Sequence, residues 1–215
     1  MAPLRFVVYS DYLCPWCYNA SRRLQRLESE ETDVEITWKS YLLRPTHVPN
    51  RDVEKFRRYT ESWKRPAADP DAGAFRVWST DVGPPTHSIP AHLVAKAAGE
   101  LGRDAFHDVH DRLLVAYFEE NRDISDPDTL RAIWQSAGLP EADFARSEDP
   151  ALLEAVMADH AEALEMGANG VPAIRQEGRD AAVTGALPYE AYLRWVRKIR
   201  ARAAEGADSA AGGEF

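Results

Sequence analysis

Two cysteines, separated by two residues, are the side chains with the clearest capacity for chemistry in this chain of 215 residues. Cys14 and Cys17 are its only cysteines and flank a proline and a tryptophan, Pro15 and Trp16. Two thiols at this spacing can switch between dithiol and disulfide with little movement of the backbone. A disulfide between them would close too short a loop to stabilise the fold much. The spacing therefore predicts a redox pair rather than a structural crosslink.

A strand and a helix are predicted on the two sides of this pair. Residues 4–9 form an apolar, β-branched run that is typical of a buried strand. A helix is predicted over residues 15–28, since proline is favoured in the first turn of a helix. Cys14 then lies at the helix N-terminus, where free N–H groups and the helix dipole favour a thiolate. We expect Cys14 to be the attacking thiol and Cys17 the resolving thiol.

The remaining pattern separates a mixed α/β part from an all-helical part. Residues 34–39 alternate between apolar and polar, so they predict a strand that completes a βαβ unit. Between them and the last third of the chain, helices are predicted over 51–64, 89–101, 104–120, 126–137 and 149–166. Strands and a final helix are then predicted over 171–175, 181–184 and 188–202. Without the helical block, the order is β-α-β…β-β-α, the thioredoxin arrangement.

This order predicts an α/β protein with a thioredoxin-like fold and a large all-helical insertion domain. We expect residues 1–42 and 167–202 to form the thioredoxin-like domain and residues 43–166 to form the insertion. Residues 203–215 are rich in Ala, Gly, Ser and acidic residues and are expected to be a disordered tail. Aromatic side chains of the insertion are expected in its core, namely Phe56, Tyr59, Trp63, Phe75, Trp78 and Trp134.

Charge and composition exclude several classes of protein. The chain has 26 basic and 35 acidic residues, a net charge of −9 at pH 7, and 45% hydrophobic residues. This composition is typical of a globular protein, and the acidic balance argues against nucleic acid or an anionic membrane as a partner. No run approaches the ~18 apolar residues of a membrane-spanning helix, and the first residues lack a secretory-signal pattern. We expect a cytoplasmic protein without nucleic-acid or membrane partners.

A zinc site is the main alternative use of the cysteines. His107 and His110 could complete a set of two Cys and two His ligands with Cys14 and Cys17. The histidines follow the cysteines by roughly ninety residues, unlike the compact spacing of common zinc motifs. We therefore predict no metal site and place both histidines on a helix surface. A redox-inert interaction protein is a further alternative that thiol titration would test.

Val171 and Pro172 provide a second signal, late in the chain. Proline is permitted at the first residue of a strand, where its missing N–H group does not interrupt the sheet. Alone, this dipeptide would be read as an ordinary strand start. Its place within the β-α-β…β-β-α order favours a functional role for it instead, which supports the redox interpretation of the cysteine pair.

These motifs resemble the DsbA-like thioredoxin superfamily, and within it the FrnE-like oxidoreductases. The resemblance covers residues 4 to about 202 and rests on Asp11-Tyr12-Leu13-Cys14-Pro15-Trp16-Cys17-Tyr18, Gly167-Ala168-Asn169-Gly170-Val171-Pro172-Ala173, Thr184-Gly185-Ala186 and Ala116-Tyr117-Phe118-Glu119-Glu120-Asn121-Arg122-Asp123-Ile124. Relatives include 2-hydroxychromene-2-carboxylate isomerases and kappa-class glutathione transferases. In those relatives a serine commonly takes the nucleophile position, whereas this chain keeps both cysteines.

The resemblance implies a thiol–disulfide oxidoreductase, with protein disulfide isomerase activity as one form of that chemistry. It implies Cys14 as nucleophile, Cys17 as resolving thiol, and a cis Pro172 beside them. Substrate contacts are implied at Pro15, Trp16, Val171 and Pro172. Protein or small-molecule thiols and disulfides are the expected partners, with no bound cofactor but with glutathione as a candidate thiol partner. A glutathione-dependent isomerase or transferase is the alternative function, and a homodimer is one open oligomeric state.

Overall fold

A mixed four-stranded sheet lies at the centre of the computed structural model, which describes residues 3–211, with side chains described to residue 205. The sheet has the order β2-β1-β3-β4 and consists of β1 (Leu4–Ser10), β2 (Val34–Ser40), β3 (Ala173–Gln176) and β4 (Ala182–Thr184). β1 runs parallel to β2 and antiparallel to β3, which is antiparallel to β4. The first strand of the chain, β1, therefore lies inside the sheet, and the last two strands, β3 and β4, are added on the side of β1 away from β2.

Helices cover both faces of this sheet because β1 is apolar on both sides. α1 (Pro15–Glu30) and α8 (Tyr189–Ala211) pack on the face that carries Phe6 and Val8. The opposite face carries Val7 and Tyr9, which pack with Ala163 of the helix over residues 150–165. A strand buried on both faces reads as a continuous apolar run rather than an alternating one, as residues 4–9 do.

The segment between β2 and β3 is helical. It contains α2 (Val53–Thr60), α3 (Lys64–Ala67), α4 (Ile89–Leu101), α5 (Arg103–Phe118), α6 (Pro127–Ser136) and α7 (Pro150–Glu165), with 3-10 turns at Glu61–Trp63 and Glu141–Glu148. Its core is a separate apolar cluster centred on large side chains, among them Trp63, Trp78, Trp134, Tyr117 and Phe118. The fold class, thioredoxin-like α/β with a helical insertion, is confirmed. Within residues 3–211, no helix combines the length and apolarity needed to cross a bilayer.

The start of β3 and the packing of α7 differ from those predicted. The strand expected from Val171 begins at Ala173, because the carbonyl of Val171 is directed to Cys14 rather than to the ladder. α7, placed by sequence within the insertion, packs on β1 and β2 and so forms a layer of the thioredoxin-like part.

The last helix is longer than predicted. It continues to Ala211 instead of ending at Arg202, so the segment expected to be a disordered tail is helical over 203–211. Ala203 and Ala204 continue it because alanine has the highest helix propensity. The final residues of the predicted tail, 212–215, lie outside the described residues.

Candidate active site

Cys14 is the N-cap residue of α1, at the carboxyl end of the central strand. Its backbone is extended, and its Sγ accepts a hydrogen bond from the N–H of Cys17 at 3.2 Å. The N–H of Cys14 donates to the carbonyl of Asp11 at 3.0 Å, which closes the turn between β1 and α1. The sulfur therefore occupies the position at which serine or aspartate normally caps a helix. An N–H donor and the helix dipole both favour negative charge at this atom.

The Val171–Pro172 segment lies directly against the cysteine pair. The peptide bond between these residues is cis, as the family resemblance implied. The carbonyl of Val171 accepts a hydrogen bond from the Cys14 thiol, with 3.3 Å between Sγ and O. Two parts of the chain that are 157 residues apart thus meet at one sulfur atom. The Cys14 sulfur thus accepts one hydrogen bond, from the N–H of Cys17, and donates one, to the carbonyl of Val171.

The two cysteines differ in environment although both are free thiols. Cys17 is 2% exposed, and burial, reinforced by the adjacent Cys14, raises the pKa of its thiol well above the ordinary value. Cys14 is 4% exposed but has Trp16 beside it on the surface, 38% exposed, and Pro15 partly exposed. Cys17 is consequently a protonated thiol at neutral pH until a reaction at Cys14 changes its surroundings.

A buried carboxyl group supports the turn that carries Cys14. Asp11 is 1% exposed, and its two oxygens accept hydrogen bonds from the N–H groups of Leu13, at 2.6 Å, and Leu43, at 2.7 Å. Burial raises the pKa of Asp11 to about 6, although these hydrogen bonds act to lower it. The sequence analysis assigned no role to Asp11. Its position between a buried strand and the cysteine pair was the signal that could have identified it.

His110 is buried, which corrects its predicted place on a helix surface. Its Nδ1 lies 3.0 Å from the hydroxyl of Tyr12 and its Nε2 lies 2.8 Å from the hydroxyl of Ser21. α5 turns this residue toward α1, and burial lowers the pKa of His110 to about 3, so the ring is neutral at physiological pH. With both ring nitrogens occupied, His110 does not offer a zinc ligand to the cysteines. In the part of the chain that the structure describes, no three His, Cys, Asp or Glu side chains form a metal-binding group.

A cavity of about 580 Å³ opens beside the cysteine turn. Leu13, the residue before Cys14, forms part of its wall, and the other lining residues are Leu43, Arg44, Arg51, Asp52, Lys55, Phe56, Tyr59 and Tyr117. Tyr59 was predicted in the core but is 55% exposed, because it lies on the outer side of α2 at the cavity mouth. The cavity lies near the reactive sulfur because Leu13, one of its lining residues, directly precedes Cys14 in the turn.

This arrangement suits thiol–disulfide exchange. One thiol is capped by a helix N-terminus, a second buried thiol lies one turn away, and an extended segment with a cis proline borders the first. All six residues that sequence reasoning named for the site, Cys14, Pro15, Trp16, Cys17, Val171 and Pro172, lie at this junction or directly beside it.

Comparisons with known proteins agree with the geometry. The model of the DSBA-like thioredoxin domain matches residues 5–195 of this chain. The uncharacterized protein YwbO of Bacillus subtilis (strain 168) is 25% identical over 151 residues, which cover 64% of this chain and 68% of YwbO.

Two solved structures are similar over most of their length. The cytosolic disulfide reductase DsbM from Pseudomonas aeruginosa superposes with a TM-score of 0.74 at 20% identity, covering 91% of this chain and 100% of DsbM. The probable DsbA oxidoreductase SCO1869 from Streptomyces coelicolor has a TM-score of 0.73 at 25% identity, covering 91% of this chain and 89% of its own. With a family match that spans nearly the whole thioredoxin-like part and its insertion, this chain belongs to the DSBA-like thioredoxin domain family.

Proposed function

We propose that this protein is a thiol–disulfide oxidoreductase that works through Cys14 and Cys17. The observation that carries the proposal is the position of Cys14, capping α1 with its Sγ 3.3 Å from the carbonyl of Val171. A sulfur in this position is favoured as a nucleophile by the helix N-terminus. The second thiol, one turn further along α1, is placed to attack it in turn.

The proposed reduction of a substrate disulfide proceeds in two exchanges. The Cys14 thiolate attacks one sulfur of the substrate, forms a mixed disulfide with it and releases the other substrate sulfur as a thiolate. Cys17 then loses its proton and attacks the Sγ of Cys14, which releases the second substrate thiol and leaves the Cys14–Cys17 disulfide. Two electrons pass from the protein dithiol to the substrate. The same steps in reverse oxidise a substrate dithiol.

Substrate contacts are proposed at the surface around Cys14. Trp16 is exposed and Pro15 partly exposed at the cysteine turn, and Val171, followed by Pro172, contacts the Cys14 sulfur through its carbonyl. The backbone of Val171 lies ahead of β3 and would pair with an extended substrate segment, which exchanges the Cys14–Val171 hydrogen bond for one to the substrate. Protein or small-molecule thiols and disulfides are the proposed partners, and the cytoplasm is the proposed compartment.

Insulin reduction tests this proposal. The wild-type protein is compared with Cys14→Ser and Cys17→Ser in the presence of dithiothreitol, with the background rate of dithiothreitol alone subtracted. We expect Cys14→Ser to reduce the rate to background, because burial raises the pKa of the remaining thiol, Cys17, and keeps it protonated. Thermal unfolding of each variant controls for loss of folding. A folded Cys14→Ser protein with the wild-type rate would overturn the assignment.

A glutathione-dependent isomerase or transferase is a second candidate, which the cavity beside Cys14 favours. DsbM from Pseudomonas aeruginosa, whose structure is similar, has also been solved with glutathione. Glutathione turnover of a small aromatic substrate that survives Cys17→Ser would favour this second function, because it needs only one sulfur. Loss of turnover in Cys17→Ser would favour dithiol exchange.

The direction of electron flow depends on the reduction potential of the pair. Equilibration of Cys14 and Cys17 with glutathione buffers measures this potential. A value well below the cytosolic glutathione poise, about −220 to −320 mV depending on method, would favour a reductase. A value well above this poise would favour an oxidase, and one near it would fit protein disulfide isomerase activity.

A further inference from the structure

The cavity beside Cys14 combines an apolar wall with an excess of positive charge. Leu13, Leu43, Phe56, Tyr59 and Tyr117 form the apolar part of its lining, and Arg44, Arg51 and Lys55 contribute three cations. Asp52 is the one acid among the lining residues, and its side chain caps α2 by accepting from the N–H of Lys55 at 2.9 Å. The cavity lining therefore carries a net positive charge, although the chain as a whole is strongly acidic.

These cations lack acidic partners, unlike Arg57 of α2. Arg57 forms ion pairs with Glu54 and Asp81. By contrast, among the described residues no carboxylate oxygen lies within 4.0 Å of a side-chain nitrogen of Arg44, Arg51 or Lys55. In a protein with more acidic than basic residues, three unpaired cations at one cavity are a local departure from the overall charge.

Arg51 illustrates the electrostatic consequence. Its guanidinium group lies 5.1 Å from the centre of the Phe56 ring and donates to the carbonyl of Pro85. Burial, and then the nearby positive charge of Arg44, lower the pKa of Arg51. Two guanidinium groups that repel each other at a partly buried cavity would be stabilised by an anion between them, since Arg binds carboxylates through paired hydrogen bonds. The buried Asp11 is also influenced by Arg44, which acts to lower the pKa of that carboxyl group, but the two side chains form no ion pair within 4.0 Å.

We infer that this cavity binds the carboxylate groups of small anionic disulfides and thiols and holds their sulfur atoms next to Cys14. Arg44 and Arg51 would contact the carboxylate, and the apolar wall from Leu13 to Tyr59 would contact the carbon chain. A volume of about 580 Å³ lies within the range of small-molecule sites, roughly 300–1,000 Å³. The inference rests on the proposed function and adds the class of substrate that the site prefers.

The reaction follows the exchange proposed above. The Cys14 thiolate displaces one half of the small disulfide as a thiolate, and Cys17 then displaces the other half as the internal disulfide forms. The protein dithiol is the reductant, so a pre-reduced protein carries out a single turnover without any additional reagent. The inference concerns only the first attack, in which the carboxylate of the incoming disulfide is held by the cations.

Three small disulfides of similar size and different charge test the inference. Pre-reduced protein is mixed with dithiodiglycolate, bis(hydroxyethyl) disulfide or cystamine, which are anionic, neutral and cationic. Samples are quenched with acid, and the mass of the protein gives the rate of mixed-disulfide and internal-disulfide formation. Each rate is divided by the rate of the same disulfide with dithiothreitol, which removes differences in intrinsic reactivity.

We expect the normalised rate with dithiodiglycolate to exceed that with the neutral disulfide by about tenfold, since a charge-assisted hydrogen bond contributes on the order of 1.5 kcal/mol. Cystamine should react more slowly than both. Arg44→Gln and Arg51→Gln should each reduce the preference for the anion by about threefold or more. Arg44→Gln, which alters no hydrogen bond to Pro85, keeps the test valid if Arg51→Gln folds poorly.

Arg58→Gln is the matched control, because it removes the same charge at an exposed residue of α2 that does not line the cavity. An equal loss of preference in Arg58→Gln would attribute the effect to overall charge and overturn the inference. Wild-type protein that reacts through Cys14 without preference for the anion would also overturn it, while leaving the proposed function intact. Reaction of Cys14→Ser at the wild-type rate would overturn both.

Discussion

Replacing the carboxyl group of Asp11 with an amide, as in Asp11→Asn, should change how the stability of this protein depends on pH. Asp11 is buried at the end of β1, where its two oxygens accept from the N–H groups of Leu13 and Leu43. Burial raises its pKa from 3.8 to about 6. The folded protein therefore binds a proton more tightly at Asp11 than the unfolded chain does. This tighter proton binding increases the free energy of unfolding. The increase is fully present below about pH 3.8 and is lost as the pH rises through about 6.

The size of the effect follows from the difference between the two pKa values. A difference of about two pKa units corresponds to about 3 kcal/mol of unfolding free energy, of which about 2 kcal/mol is lost between about pH 4.5 and about pH 7.5. The amide cannot ionise, so Asp11→Asn should lack this loss. It also offers one acceptor in place of two, which should leave the N–H of Leu13 or Leu43 unpaired at a cost of about 1–3 kcal/mol. We expect Asp11→Asn to have a lower free energy of unfolding than wild type at acidic pH. At neutral pH, the free energy of unfolding of Asp11→Asn relative to wild type should be about 2 kcal/mol more favourable than at acidic pH.

Urea unfolding of both proteins under reducing conditions, at about pH 4.5 and about pH 7.5, measures these free energies. Other titrating groups, including the buried His92 and His110 with pKa values of about 3, act equally in both proteins. The difference between wild type and Asp11→Asn therefore isolates Asp11. Parallel pH profiles for the two proteins would refute the reasoning, because they would show that Asp11 titrates alike in the folded and unfolded chains.

Two further substitutions test the packing around the site and the helical insertion. Gly73→Ala should destabilise the protein by about 1–3 kcal/mol, because a Cβ at residue 73 would lie 2.5 Å from Cζ of Tyr18 and force that ring to move. Asp126→Ala should cost about 1 kcal/mol, because Asp126 caps α6 by accepting from the N–H of Thr129 at 2.8 Å. Urea unfolding measures both. The control for the first is Gly83→Ala, where a Cβ meets no atom within 4 Å. The control for the second is Asp128→Ala, which removes the same charge from the first turn of α6. A loss in either control equal to that in its test variant would contradict the assigned cause.

Local signals made much of the fold predictable from sequence. Asp126-Pro127 and Asp149-Pro150 predicted helix starts, and both aspartates cap helices in the structure. These signals work because a cap and the proline after it act within one turn. The strand–Cys14–helix junction was predictable for the same reason. The cis bond at Pro172 came only from the family resemblance, since most such bonds are trans.

Features that depend on tertiary packing were not predictable. Arg44, Arg51 and Tyr59 come from separate turns of chain after β2, and only the packing of α2 beside the cysteine turn brings them to one cavity. His110 was misplaced because the helical pattern of α5 does not show that its histidine faces α1. The tail was misread because its composition fits both a disordered segment and an Ala-rich helix.

The central claim is that Cys14 attacks the substrate and Cys17 resolves the mixed disulfide. Intact-protein mass measured after reaction with bis(hydroxyethyl) disulfide and acid quenching tests it directly. The account predicts that Cys17→Ser accumulates one mixed disulfide at Cys14 and that wild type ends as the internal disulfide. Cys14→Ser should stay unmodified on the same timescale, because the raised pKa of the Cys17 thiol keeps it protonated. Rapid modification of Cys14→Ser, together with an unmodified Cys17→Ser protein, would contradict it.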